Sequence, residues 1–298
     1  MGSFAKVSGG AGAAILAGGT LLMASPAQAG AAGARVVRVP CSSAALAAAI
    51  TAANAPGGAV LRLARHCAYT ITTPATAATG LPVITGDVAL VGGPGTTIRR
   101  DPTAAAFRLL DVSAGASLRV AGITILNGST AGLGGGIQNA GRLVLRQTTL
   151  SGNTAGNGGG VANNAGATAT ISRSLLTANA TTGVGGGAII NSGVLTVFGS
   201  ALRFNTAPVN GGAVNTQSAG TTQLIQSTVS RNTSGSLGGG LSNLGITTLN
   251  RTLVEHNRGS AGGGIATGNA NVLLSRSIVR NNQPDNCNPL GTIPGCVN

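Results

Sequence analysis

Large aromatic side chains are nearly missing from this 298-residue chain, which has no Trp, one Tyr and four Phe, 2% of all positions. Their scarcity excludes a conventional mixed core, which leans heavily on such side chains. Charge is equally sparse, at 8% of positions against roughly 25% in average domains. Acids are the rarer sign, five beside 18 Lys and Arg, and none occurs between Val112 and Val254. That stretch therefore lacks the paired carboxylates of ordinary glycoside hydrolysis and the oxygen-rich shell that holds calcium. Only four Cys are present, without CxxC or His-rich spacing, so neither a metal site nor a cofactor is expected.

What the chain has instead is Gly, 50 residues of it, within a sequence that is 43% hydrophobic and so too apolar for disorder. Many thin layers of Val, Ile, Leu and Ala suit this composition better than one globular core. The first 29 residues carry an export pattern: Lys6, an apolar run from Ala11 to Met23, and the small-residue site Ala27-Gln28-Ala29. Gly18, Gly19 and Pro26 argue against a membrane span there, no later segment is apolar enough to be one, and a released, extracellular monomer is expected. In that oxidising setting the four Cys predict two disulfides; of the three possible pairings, Cys41 with Cys67 and Cys287 with Cys296 is the favoured one, with a clip at each end of the fold.

Self-comparison gives the architecture. Segments ending at Asn127, Asn153, Asn179, Asn205, Asn232, Asn257 and Asn282 share one template, at intervals of 26, 26, 26, 27, 25 and 25 residues. Three residues before each later Asn stands Leu150, Leu176, Leu202, Val229, Val254 or Val279; five before stands Thr148, Ser174, Ser200, Ser227, Thr252 or Ser277. Gly clusters such as Gly134-Gly135-Gly136, Gly158-Gly159-Gly160 and Gly238-Gly239-Gly240 separate the strands and lead into an apolar residue. Alternation such as Leu143-Val144-Leu145 sends every second side chain inward, so successive units predict stacked coils of a β-solenoid, at least seven of them. Inward Asn would form a hydrogen-bonded ladder, a structural role that leaves Asn127-Gly-Ser no need of glycosylation.

Exposed strand edges at a solenoid's ends need covers. Ser42 or Ser43 can N-cap a helix through Leu46 and Ile50, ended by Pro56-Gly57-Gly58, and the repeat is lost from Pro284 onward. The predicted organisation is thus a signal peptide (1–29), an N-terminal segment with capping helix (30–58), an all-β solenoid (59–283) and a C-terminal cap with a disulfide loop (284–298). The Gly-Gly-Gly-Ile run at Gly134–Ile137 with its successors, and Leu150-x-x-Asn153 through Val279-x-x-Asn282, resemble secreted bacterial right-handed parallel β-helix proteins. These belong to the pectate-lyase-like superfamily and carry repeats like those of polymorphic outer-membrane proteins. Here Gly stands for the family's Ala, and an aliphatic residue for its Phe. The resemblance implies a right-handed parallel β-helix; it does not fix a function, since that fold hosts lyases, hydrolases, epimerases and binders.

Three groups of residues are candidates for function. Arg146, Arg173, Arg251 and Arg276 precede a repeat Asn by six or seven residues, while Arg203, Arg231, Arg258 and Arg280 lie within two of one. Guanidinium groups spaced by the coil rise would engage carboxylates or sulfates along a polymer, so acidic extracellular or cell-envelope polysaccharide is the expected partner. Dispersed arginines without aromatic platforms do not favour specific nucleic-acid binding. The alternative is a calcium-independent polysaccharide lyase in which Arg280 neutralises a uronate and His256, beside Glu255, removes the proton. Asp87 and Asp111, 24 residues apart, form a further carboxylate pair if they stack on adjacent coils.

Overall fold

The computed structural model describes residues 35–298, so the signal-peptide segment lies outside the described residues. Those residues wind into an all-parallel β-solenoid of about ten turns, with strands gathered into four sheets of ten, nine, five and eight members. Following one coil, the chain passes through Ser117–Ala121 in the ten-stranded sheet 1 and Thr124–Leu126 in the nine-stranded sheet 2. It continues through Ser129–Leu133 in the five-stranded sheet 3 and Ile137–Asn139 in the eight-stranded sheet 4, then returns to sheet 1 at Arg142–Arg146.

Register between coils holds residue by residue. Leu118 pairs with Leu143, Leu143 with Ala169, and Ala169 with Leu195 in sheet 1, while Ile125, Leu150, Leu176 and Leu202 stack in sheet 2. These inward aliphatic columns are fully buried and form one continuous core along the axis. Two turns per coil carry polar columns inward. Thr148, Ser174, Ser200, Ser227 and Thr252 each donate the backbone N–H to the hydroxyl of the residue one coil on, at 3.0 to 3.4 Å, ending at Ser277. Asn153, Asn179, Asn205, Asn232 and Asn257 each donate Nδ2–H to the next side chain's Oδ1 at 2.9 to 3.0 Å, and Asn282 ends the ladder on Asn286. A buried amide costs little when both its ends are satisfied in this way, and the ladder fixes the register.

Asn127 is a correction to the expected ladder. It occupies a left-handed turn position (φ 63°), and Gly128 takes the inward place, donating its N–H to Asn153 Oδ1 at 2.9 Å. The ladder therefore starts at Asn153. A second ladder, in sheet 4, runs from Asn139 through Asn163 to Asn191 at 2.7 and 2.8 Å, and sequence reasoning missed it although [Ile/Val]-x-Asn repeats there after each Gly cluster. The Gly clusters turn the chain into sheet 4. Gly134 has φ 65°, and a Cβ on Gly187 would fall into the Gly212 and Thr206 carbonyls of the next coil, so neither site accepts a side chain.

The ends differ from expectation in one respect. Arg35–Val39 already pairs in parallel with Ala59–Leu63, so the solenoid begins before the helix rather than after it. Helix Ser43–Ala53 is N-capped by Ser42, whose hydroxyl accepts from Ala45 N at 3.4 Å, and buries Leu46, Ile50 and Ala53 against the first coils. Asn54 ends it and ties it to the loop before sheet 1, donating to Val83 O at 2.7 Å and accepting from Thr85 N at 2.9 Å. Cys41–Cys67 and Cys287–Cys296 are both bonded, and Cys287–Asn288 adds a last strand to sheet 4. Two disulfides are compatible with an extracellular protein, and among the described residues no helix is long and apolar enough to cross a membrane.

Candidate functional site

The outer surface of sheet 2 is bordered by two turns whose apex residues are left-handed. The first apex column holds Gly122, Gln147, Arg173, Gly199, Gln226, Arg251 and Arg276; the second holds Asn127, Gly152, Ala178, Phe204, Arg231, His256 and Asn281. Positive φ in so many non-Gly residues costs local strain, which the hydroxyl and Asn ladders behind each apex offset. An apex side chain in this conformation projects to solvent, which is why long polar residues suit the place. Five residues separate the two columns, so the strip between them is about 16 Å wide.

A groove of about 580 Å³ runs along the first turn, lined by residues from equivalent places on four successive coils. Gln147, Arg173, Gly199 and Gln226 form its rim, and Thr149, Leu175, Ala201 and Thr228 its sheet 2 wall. Arg173 is the charged residue in that lining, and Arg251 and Arg276 continue its column beyond the groove. Arg146 belongs elsewhere: it ends a sheet 1 strand opposite Ser172, one residue before the apex held by Gln147. It therefore faces out from sheet 1. The 25- to 27-residue variation of the repeat concealed this one-place offset.

Arg203, Glu255 and Arg280 share one outward column of sheet 2, with Ser230 between the first two. Glu255 Oε2 accepts from Arg280 Nε and Nη2 at 3.1 and 3.0 Å, and His256 Nδ1 lies 3.9 Å from the same oxygen. The three proposed catalytic residues are therefore neighbours, on an open surface. Arg258 departs from the strip into sheet 3, where it bridges Thr233 and Gln283.

Phe204 is a candidate site residue that sequence reasoning missed. It stands at the second apex with φ 57°, 48% exposed, with the Arg203 and Arg231 guanidinium carbons 6.0 and 5.6 Å from its ring centre. A large aromatic in a chain with so few was visible in the sequence as Arg-Phe-Asn at 203–205, but its exposure and strained turn position were not.

The Asp87 and Asp111 pair is a second correction. Asp87 lies in sheet 1 opposite Ser117, and Asp111 in sheet 4 opposite Gln138, so they do not stack. Each is instead neutralised by its own arginine, Asp87 by Arg119 at 2.8 Å and Asp111 by Arg108 at 2.7 Å. Spacing near one repeat misled because the early coils are irregular and the two residues enter different sheets. Among the described residues no three of His, Cys, Asp and Glu come together as metal ligands. Comparison with protein-family models and with curated proteins returns no match.

Proposed function

We propose that the protein is a secreted scaffold that binds acidic extracellular or cell-envelope polysaccharide along the sheet 2 strip, the polymer lying parallel to the solenoid axis. The observation that carries this reading is the groove repeating Gln147, Arg173 and Gln226 over four coils, flanked on the second turn by Arg203, Phe204 and Arg231. A polymer meets equivalent backbone places at each coil rise of roughly 4.8 Å, with Gln, Arg, Gly and Gln in turn at the rim, so successive sugars take successive coils. The arginines pair bidentately with carboxylate or sulfate, and Phe204 offers a flat apolar face to a sugar ring.

The test is calorimetric titration of uronate-rich polymer against the wild type and an Arg173→Gln, Arg231→Gln, Phe204→Ala variant. Binding that weakens at least about tenfold, with little response to a neutral polymer, supports the reading. A DNA duplex bound as tightly as the uronate polymer contradicts it, since that outcome reflects charge alone. The proximity of His256 to the Glu255–Arg280 pair favours β-elimination as a second reading. An ultraviolet-absorbing unsaturated product, lost in a His256→Ala, Glu255→Gln variant, would establish it.

A further inference from the structure

Three other arginines gather at the opposite end of the solenoid. Arg38 and Arg62 are direct partners on neighbouring parallel strands of sheet 1, so both side chains leave the same face about 4.8 Å apart. Arg65 follows at the end of the second strand, its stem packed on Gly93 so closely that a Cβ there would lie 3.0 Å from its Cγ. All three line one cavity of about 600 Å³. None of them is in an ion pair among the described residues, and no carboxylate lines the cavity. Like charges directly opposite one another across strands are destabilising, so an uncompensated pair with a third cation added calls for an anion.

The backbone beneath is held firmly. The hydroxyl of Tyr69, the chain's single Tyr, donates to Val39 O at 3.0 Å and accepts from Ala64 N at 2.9 Å. Thr96 Oγ1 donates to Ala64 O at 2.9 Å and accepts from Gly93 N at 3.1 Å. The segments carrying the three guanidinium groups are thus fixed before any ligand arrives.

We infer that this cavity binds a tetrahedral oxyanion, phosphate or sulfate, carried as an ester on an apolar group. Each guanidinium presents a planar fork of donors, and one fork satisfies a carboxylate. Three forks lining one cavity need the additional oxygens and the three-dimensional spread of a tetrahedral group. Leu63 turns its side chain into the core beneath, and Pro40 and Val91, the latter paired with Arg62, form the outer apolar surface on which the organic part rests.

The experiment titrates the full chain with phenyl phosphate, phenyl sulfate, inorganic phosphate and benzoate, by calorimetry and by thermal melting. One ester per chain is expected, with benzoate at least about tenfold weaker, and the tighter of the two esters identifies the oxyanion. Arg62→Gln is expected to weaken the ester at least about tenfold and to remove the ligand-induced rise in Tm, while its Tm in phosphate-free buffer equals or exceeds the wild type's because a repulsion is gone. Arg142→Gln, an exposed arginine of sheet 1 outside the cavity, is expected to bind as the wild type does. Absence of saturable binding, benzoate binding as well as the esters, or equal losses in Arg62→Gln and Arg142→Gln would overturn the inference. Inorganic phosphate binding more tightly than phenyl phosphate would overturn the ester assignment.

Discussion

Removing one rung of the Asn ladder tests the physical basis of the coil stack. In Asn205→Ala the lost Oδ1 leaves two donors of Asn179 without their partner, the backbone N–H at 3.0 Å and Nδ2 at 3.0 Å, and the lost Nδ2 frees Leu176 O and Asn232 Oδ1, formerly at 3.0 and 2.9 Å. Asn179 Nδ2 keeps Leu150 O and Asn232 Oδ1 keeps Asn205 N, so the net loss is concentrated on the buried Asn179 N–H, the second Nδ2 proton and Leu176 O. At about 1 to 3 kcal/mol for each stranded buried group, with some relaxation, the variant is expected to lose about 3 to 5 kcal/mol. Urea unfolding followed by far-ultraviolet circular dichroism measures this, with Gln223→Ala, at an exposed outward place of sheet 1, as the control expected to change by less than about 0.5 kcal/mol. An unfolding free energy for Asn205→Ala within about 1 kcal/mol of the control would refute the claim that the ladder, rather than the aliphatic columns alone, fixes the stack. Asn205→Asp adds a sign check: it keeps the acceptor and loses the donor, so its destabilisation should ease as acid protonates the carboxyl.

Other expectations follow from the same geometry. Gly187→Ala should prevent folding, because its Cβ meets the next coil's backbone, whereas Gly199→Ala, at φ 54° with the nearest atom 3.9 Å away, should cost only about 1 kcal/mol; equal effects in circular dichroism and melting would refute the close-approach argument. Leu202→Ala, in the centre of the sheet 2 column, should lower stability by about 2 to 5 kcal/mol in the urea assay, and a loss under about 1 kcal/mol would mean that the core is loosely packed. Reduction or Cys41→Ser, Cys67→Ser substitution should destabilise by about 2 to 5 kcal/mol, and an unchanged melting curve would remove the end clip from the account. The Thr103 hydroxyl and N–H, at 2.6 and 2.9 Å, hold the Asp101 carboxyl below the ordinary Asp range, with Arg99 and Arg100 adding to the effect. Its contribution to stability is therefore present above the unfolded-state value and lost as pH falls through the lower folded one. Carbon-detected NMR titration should show the Asp101 carboxyl titrating at higher pH in Thr103→Val, and no movement would exclude the hydroxyl as the cause.

The solenoid was legible because its signals repeat. One Leu or Val, one small hydroxyl and one Asn per unit gave the strands, the first turn and the ladder, and the structure assigns each to its own column. The fold's ends were less legible. Arg35–Val39 is too short and too basic to read as a core strand in isolation, and pairs only because Ala59–Leu63 lies beside it. The site was legible in its residues and not in their arrangement. A shift of one residue moves a side chain to the other face of a strand, so the offset that places Arg146 in sheet 1 and Asn127 at a turn apex needs coordinates. Asp87 and Asp111 show the same limit between sheets, where a near-repeat spacing carried no information about which sheet each entered.

The central claim is that like residues of successive coils stand above one another, and paired spin labels test it most directly. Val144 and Leu273 occupy one outward column of sheet 1, connected through Thr170, Thr196, Gln223 and Thr248. Labels at those two ends should give one narrow distance near 24 Å, and moving the first label back one coil to Arg119 should lengthen it by about 4.8 Å. A broad distribution, or a distance that does not grow by one coil rise, would contradict the stacking and with it every column described above.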